Sequence, residues 1–270
     1  MNVTLASADA YCRALTRGHY ENFIVAMPFL RASLRRDLSR IYAFCRTTDD
    51  LGDESASPAE ALERLQRWHD DTAALFAGAT PVHPVLYALR ETVQRHAIPA
   101  QPFFDLIEAN RMDQRVSTYH TWDELMEYCR FSAAPVGRMV LAVFGVTDSR
   151  APALSDDVCI GLQLANHAQD VKRDALIGRR YLVGSDVATL GIAGAVRSMV
   201  ERARTLLDSG RALEKIVSGA LRWQLALYRL GGLAICDAIA GVQYRTDEQR
   251  PTVAAKEKLT ILVQSYVRGS

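Results

Sequence analysis

A chain of 270 residues, 49% hydrophobic and 23% charged, is long enough to bury one large core or two smaller ones. A formal net charge of +1 excludes the broad basic surface of a nucleic-acid binder, so no nucleic-acid partner is expected. No apolar run approaches the roughly 18 residues of a membrane-spanning helix, and Met1 to Tyr11, with Asp9 inside it, lacks the pattern of a secretory leader.

The pattern along the chain is helical. Leu34, Leu38, Ile41 and Cys45 recur at three- and four-residue steps and define one helix face. Ser55 to Pro58 supplies a stop and an N-cap with proline close behind, and Leu62, Leu65 and Trp68 begin the next helix. Val85, Leu89 and Val93 make a third. Further helices are expected around Leu106, over Leu125 to Phe144, over Val158 to Val171, near Ala195 to Leu213 and over Leu221 to Ile239. The breaks fall at Thr80 to Pro84, Ile98 to Pro102, Gly145 to Pro152 and Gly178 to Gly194. No strand–helix alternation, internal repeat or long linker is present. The economical expectation is all-α, a single helical bundle over residues 1–270. Cys12, Cys45, Cys129, Cys159 and Cys236 are odd in number and widely spaced, as reduced thiols of a cytoplasmic protein would be.

Two polar stripes interrupt the apolar faces. At about 100° per residue, Tyr42, Arg46, Asp49 and Asp53 fall within an arc of about 60°, bordered by Leu38 and Cys45. By the same arithmetic Gln163, Asn166, Asp170 and Asp174 fit within about 80°, flanked by Leu162, Leu164, Ala165 and Val171. Carboxylates that continue an inward stripe are costly unless a positive charge meets them. Arg46 can meet one, and a divalent cation is the natural remainder. The donors are oxygens, which suits Mg²⁺, a cation usually held by a few carboxylates together with substrate phosphates. Either stripe alone is more often a solvated, salt-bridged helix face.

The ordered set Tyr42-Ala43-Phe44-Cys45-Arg46-x-x-Asp49-Asp50-x-x-Asp53-Glu54, then Tyr128 to Gly137, then Gln163-x-x-Asn166-x-x-x-Asp170-x-x-x-Asp174, then Gly178-Arg179-Arg180-Tyr181-Leu182, resembles the squalene and phytoene synthase family from about His19 to the C-terminus. Within it, His19 to Phe23, Tyr128 to Arg138 and Asn166-x-x-Gln169-Asp170-Val171 look most like the bacterial hydroxysqualene synthases of the hopanoid pathway. The resemblance implies an isoprenoid-synthase bundle with a central cavity. It implies Mg²⁺ on Asp49, Asp53, Asn166, Asp170 and Asp174, with Asp50 and Glu54 open between second-shell contact and solvation. Arg46 would contact diphosphate, Gln163 would position phosphate or water, and Tyr42 and Tyr128 would line the reaction chamber. Gln169, Lys172, Arg173, Arg179 and Tyr181 would lie over the phosphates, and His19, Asn22 and Phe23 on the opposite side of the pocket. Ala133, Ala134 and Gly137 would either admit a prenyl chain or allow close helix packing.

The reaction so implied converts presqualene diphosphate to hydroxysqualene without NADPH. Condensing members usually carry Arg where this chain has Gln169, and tend to carry Tyr where an ungapped reading puts Gly231-Gly232. Two further departures are His167 after Asn166, and Val183 where Pro is common. The competing readings are head-to-head condensation of two farnesyl diphosphates and a non-catalytic scaffold of the same fold. Substrate could be handed over by a presqualene-forming sister enzyme. Lipid substrate and product also raise loose contact with the inner membrane as an expectation.

Overall fold

A computed structural model describes residues 4–18, 30–254, 256, 260–262 and 265. His19, Asn22 and Phe23 lie outside the described residues. The elements are α1 (Leu5–Gly18), α2 (Ala32–Asp53), α3 (Pro58–Phe76), α4 (Pro84–His96), α5 (Gln101–Asp113), α6 (Trp122–Ser132), α7 (Ala134–Val143), α8 (Ala151–Gln169), α9 (Val171–Leu176), α10 (Gly184–Ser209), α11 (Arg211–Ile216) and α12 (Gly219–Gly241). The chain is all-α, and among the described residues extended pairing is confined to an isolated bridge between Thr118 and Arg180. The helices gather into two compact units, Met1–Arg115 with Arg138–Val146, and Val116–Gly137 with Thr147–Ser270.

In the first unit the expected stop before α3 is built as read. The Ser57 hydroxyl accepts from the Glu60 N–H, and Pro58 takes the first helical position, where its missing N–H costs nothing. Phe44 of α2 stacks on Trp68 at 5.4 Å and meets Phe103 edge-on at 5.0 Å. The Trp68 indole donates to Thr48 at 2.9 Å, so its buried N–H is satisfied. Helix α1 was not legible as an apolar stripe, because its buried face carries Ala8, Asp9, Cys12 and Thr16. Arg40, fully buried, makes that face stable by donating to both Asp9 oxygens at 2.7 and 3.1 Å. Asp37, beside it, accepts from Thr92 at 2.8 Å and from Arg95 at 3.1 Å.

In the second unit α6 starts at a capping box, Thr121 and Glu124 each satisfying the other's backbone. Small residues set how closely the helices approach. A Cβ at Gly137 would sit 2.3 Å from Ser155 Oγ and 2.7 Å from Cys159 Sγ, so at this position close packing against α8 is what the glycine serves. Gly161 packs in the same way against Leu207 and the Ala203 carbonyl. One expectation is corrected: the stripe from Gln163 to Asp174 is not one continuous helix. Asp170 leaves helical geometry at φ −99°, ψ 15°, which ends α8 and starts the short α9. The break expected over Gly178 to Gly194 is also shorter, since α10 begins at Gly184 and bends at Gly191, where φ is +70°. All five cysteines are free thiols.

Candidate functional site

The first acidic set occupies the C-terminal turn of α2, the negative pole of that helix, and no basic residue lies in that turn. Carboxylates there are repelled by the exposed carbonyls and are stabilised by a positive charge nearby. Asp50 and Glu54 meet Arg46, at 2.5 and 3.7 Å. Asp49 instead accepts from the Asn110 amide at 3.1 Å, and Asn110 is held in turn by the Leu106 carbonyl. Gly52 makes room for that amide, since a Cβ would lie 2.9 Å from Asn110 Oδ1. Asp49 and Asp53 both keep exposed surface. Even so, protein atoms displace much of the water around Asp49 and push its carboxyl up to about 7; the Asn110 bond and Arg46 act against this, and Asp53 and Asp113 add to it. Tyr42 is half-buried one turn earlier, and burial raises its phenol above the usual value while Arg46 opposes.

The second set surrounds the break at Asp170. Gln163, Asn166 and Asp170 are half-buried on α8 and its C-cap. Gln169 points inward, 6% exposed, and donates to the Pro251 carbonyl at 2.8 Å. Its amide oxygen accepts from Arg250 at 3.3 Å, and the Arg250 guanidinium also pairs with Asp170. Lys172 donates to the Glu248 carbonyl at 2.8 Å, so residues 248–251 are tied along the second motif. Arg173 is exposed and Arg179 half-buried. Tyr181 is buried in an aromatic cluster, stacked on His167 with ring centres 3.7 Å apart. Tyr119 and Tyr128 complete the cluster, at 5.9 and 5.6 Å from Tyr181. Burial pushes the His167 imidazole down to about 3, so it is neutral at ordinary pH.

Among the described residues no three His, Cys, Asp or Glu side chains converge as a ready-made metal cage. Mg²⁺ does not require one, since it keeps several waters and binds through one or two carboxylates and substrate phosphates. Asp49 and Asp53 at one helix C-terminus, and Asn166 and Asp170 at another, each offer oxygen donors of the kind Mg²⁺ takes.

A family model described as squalene/phytoene synthase matches residues 16–257. The chain belongs to the squalene/phytoene synthase family. As a family member it is a prenyltransferase-like enzyme of isoprenoid biosynthesis that acts on prenyl diphosphates. The phytoene synthase of Arthrospira platensis is 31% identical, covering 100% of this chain and 96% of its own. A hydroxysqualene synthase from Sinorhizobium fredii is 32% identical over 86% of this chain and 82% of its own. The crystal structure of squalene synthase HpnC from Alicyclobacillus acidocaldarius is 43% identical with a TM-score of 0.83, covering 90% of this chain and 97% of that one. A dehydrosqualene synthase superposes with a TM-score of 0.85 at 22% identity, over 97% and 96% of the two chains, a likeness of fold.

Within the family frame several departures gain physical reasons. Gly232 lets α12 approach α8 and α10, because a Cβ there would lie 2.8 Å from Leu162 and 2.9 Å from Leu207. Val183 sits at φ −65°, the angle a proline would impose, so the backbone is unchanged by the loss of the ring. Asn110, Tyr119 and Arg250 were not legible as site residues. Asn110 is one of several polar residues on α5, with Asp105, Glu108 and Arg111, and nothing in its spacing singles it out; Tyr119 and Arg250 lie in irregular segments where periodicity carries no information.

Proposed function

We propose that this family member converts presqualene diphosphate to hydroxysqualene with release of diphosphate. The observation that carries the reading is Gln169. Its amide is buried and spent on the Pro251 carbonyl and Arg250, so position 169 supplies no charge for a second diphosphate. The similarity to a hydroxysqualene synthase supports the same branch, and that to a squalene synthase supports a squalene-type product. Mg²⁺ would be held by Asp49 and Asp53 and by Asn166, Asp170 and Asp174, and when bound it neutralises charge on the departing diphosphate. Arg46 offers a donor fork to phosphate oxygen. The ring faces of Tyr42 and Tyr128 can stabilise a carbocation. The step that ends the reaction is capture by water: its oxygen lone pair forms the new C–O bond, and the proton lost passes to the released diphosphate. No reductant is consumed.

One observation favours the second reading, condensation of two farnesyl diphosphates. Arg250 brings a guanidinium to Asp170 from elsewhere in the chain, returning a positive charge to the neighbourhood that Gln169 leaves neutral. A single comparison separates the two. Purified enzyme with Mg²⁺ and presqualene diphosphate in ¹⁸O-water is expected to give labelled hydroxysqualene without NADPH, and farnesyl diphosphate alone is expected to give little product. Efficient presqualene, dehydrosqualene or phytoene formation from prenyl diphosphates would move the chain to the condensing branch. Chelation should abolish turnover and added Mg²⁺ restore it, whichever branch holds.

A further inference from the structure

His167 stands where an apolar residue is common, and its surroundings give it work beyond packing. It is 6% exposed, with one face stacked on Tyr181. Its two ring nitrogens look in different directions. Nδ1 lies 4.0 Å from Asp174 Oδ2, and Nε2 lies 3.1 Å from the side-chain nitrogen of Gln163, one turn earlier on α8. The 4.0 Å to Asp174 is too long for a hydrogen bond, but the carboxylate's negative charge favours hydrogen on the nitrogen that faces it. The other is then an acceptor, and it takes the N–H of the Gln163 amide. The amide oxygen of Gln163, on the far side of the same carbon, is turned away from the imidazole. Gln163 itself is half-buried on the strip it shares with Asn166 and Asp170.

We propose that His167 is a positioning residue: its Nε2 fixes the Gln163 amide so that the amide oxygen accepts a hydrogen bond from the water that captures the cation. The proposal rests on the alcohol-forming reading above. A freely rotating glutamine would present N–H and oxygen alternately, and an N–H at that place would engage one of the water's two lone pairs and make it a weaker nucleophile. The imidazole removes that ambiguity because it offers the amide only an acceptor. The charge of Asp174 favours that tautomer, so the carboxylate acts on the water position through two side chains. The stack on Tyr181, and Tyr128 with its ring centre 6.2 Å from His167, hold the imidazole plane.

Two variants separate this role from packing. His167→Phe keeps a flat ring against Tyr181 and removes the acceptor. His167→Gln gives up the ring and keeps an acceptor near the place of Nε2. With presqualene diphosphate, the alcohol share of total product is expected to fall roughly 5-fold or more in H167F, the scale of one lost hydrogen bond, in favour of hydrocarbons formed by proton loss, with KM little changed. H167Q is expected to keep most of the alcohol share. An unchanged alcohol share in H167F, or an equal loss in both variants, overturns the proposal. The tautomer is read without any substrate, from ¹⁵N shifts of labelled histidine, the His167 signals being assigned by their absence in H167F. Hydrogen on Nδ1 is expected, and hydrogen on Nε2 overturns the proposal. A wild-type enzyme that makes no alcohol removes the functional reading, while the ¹⁵N result still decides whether His167 orients Gln163.

Discussion

At the scale of single residues, the first acidic set works against the fold that carries it. Asp49 lies at the negative end of α2, near Asp53 and Asp113, and its carboxyl is raised to about 7. A carboxyl whose folded value exceeds its unfolded value of 3.8 binds protons more tightly when folded. Its cost to stability is therefore full above about pH 7 and fades as the pH falls toward 3.8. Asp49→Asn keeps the shape and removes the charge. In the absence of Mg²⁺ the variant is expected to be more stable than wild type at pH 8 by roughly 0.3–1 kcal/mol, the scale of one charge at a helix end. That advantage should vanish near pH 4. Its turnover should fall by about 10²-fold or more, as when one electrostatic contact to a transition state is lost. Denaturant melts of both proteins at the two pH values, beside a steady-state assay, test it. A variant less stable than wild type at pH 8 would show that Asp49 is a structural group.

At the scale of elements, two features of the packing give opposite expectations for neighbouring glycines. Gly232 is enclosed by Leu162 and Leu207, whereas a Cβ at Gly231 would meet nothing within 4 Å. Gly232→Tyr should overpack the α8–α10–α12 contact and cost about 1–3 kcal/mol. Gly231→Tyr should fold with little loss, as thermal melts of the pair would show. A similar argument applies to α1. Arg40→Met would leave Asp9 and Asp37 buried with fewer partners, and breaking a buried pair from one side costs roughly 3–5 kcal/mol. Loss of α1 packing, seen as early amide exchange across Leu5–Gly18, should accompany it. These elements also show what was legible. Helices α2, α3 and α4 announced themselves because large apolar residues recur at three- and four-residue steps, Leu34–Leu38–Ile41, Leu62–Leu65–Trp68 and Val85–Leu89–Val93. Helix α1 did not, because its buried face is polar and depends on Arg40, thirty-one residues away from Asp9. The acidic stripes were legible as helix faces. The break at Asp170 was not, since Val171 to Leu176 continues the helical pattern and the bend shows only in the backbone angles.

At the scale of the whole molecule, the two acidic sets lie far apart in sequence and belong to different compact units, Asp49 and Asp53 to the first and Asn166, Asp170 and Asp174 to the second. No helix among the described residues is long and apolar enough to cross a membrane. On the proposed function both sets serve one substrate, and that has a kinetic consequence. Residues that act as a unit are strongly non-additive, because once one member is lost the others have nothing left to complete. Asp49→Asn and Asp170→Asn should each lower kcat/KM by about 10²-fold or more. If both serve the same diphosphate, the double variant should be little worse than either single one, instead of showing the product of the two losses. Substrate-induced stabilisation offers the same test without turnover. Mg²⁺ with a non-hydrolysable prenyl diphosphonate should raise the melting temperature of wild type, and each single variant should lose nearly the whole rise. Additive losses in both measurements would mean that the two sets act on separate steps, and Asp170, paired with Arg250, would then be a latch for residues 248–251.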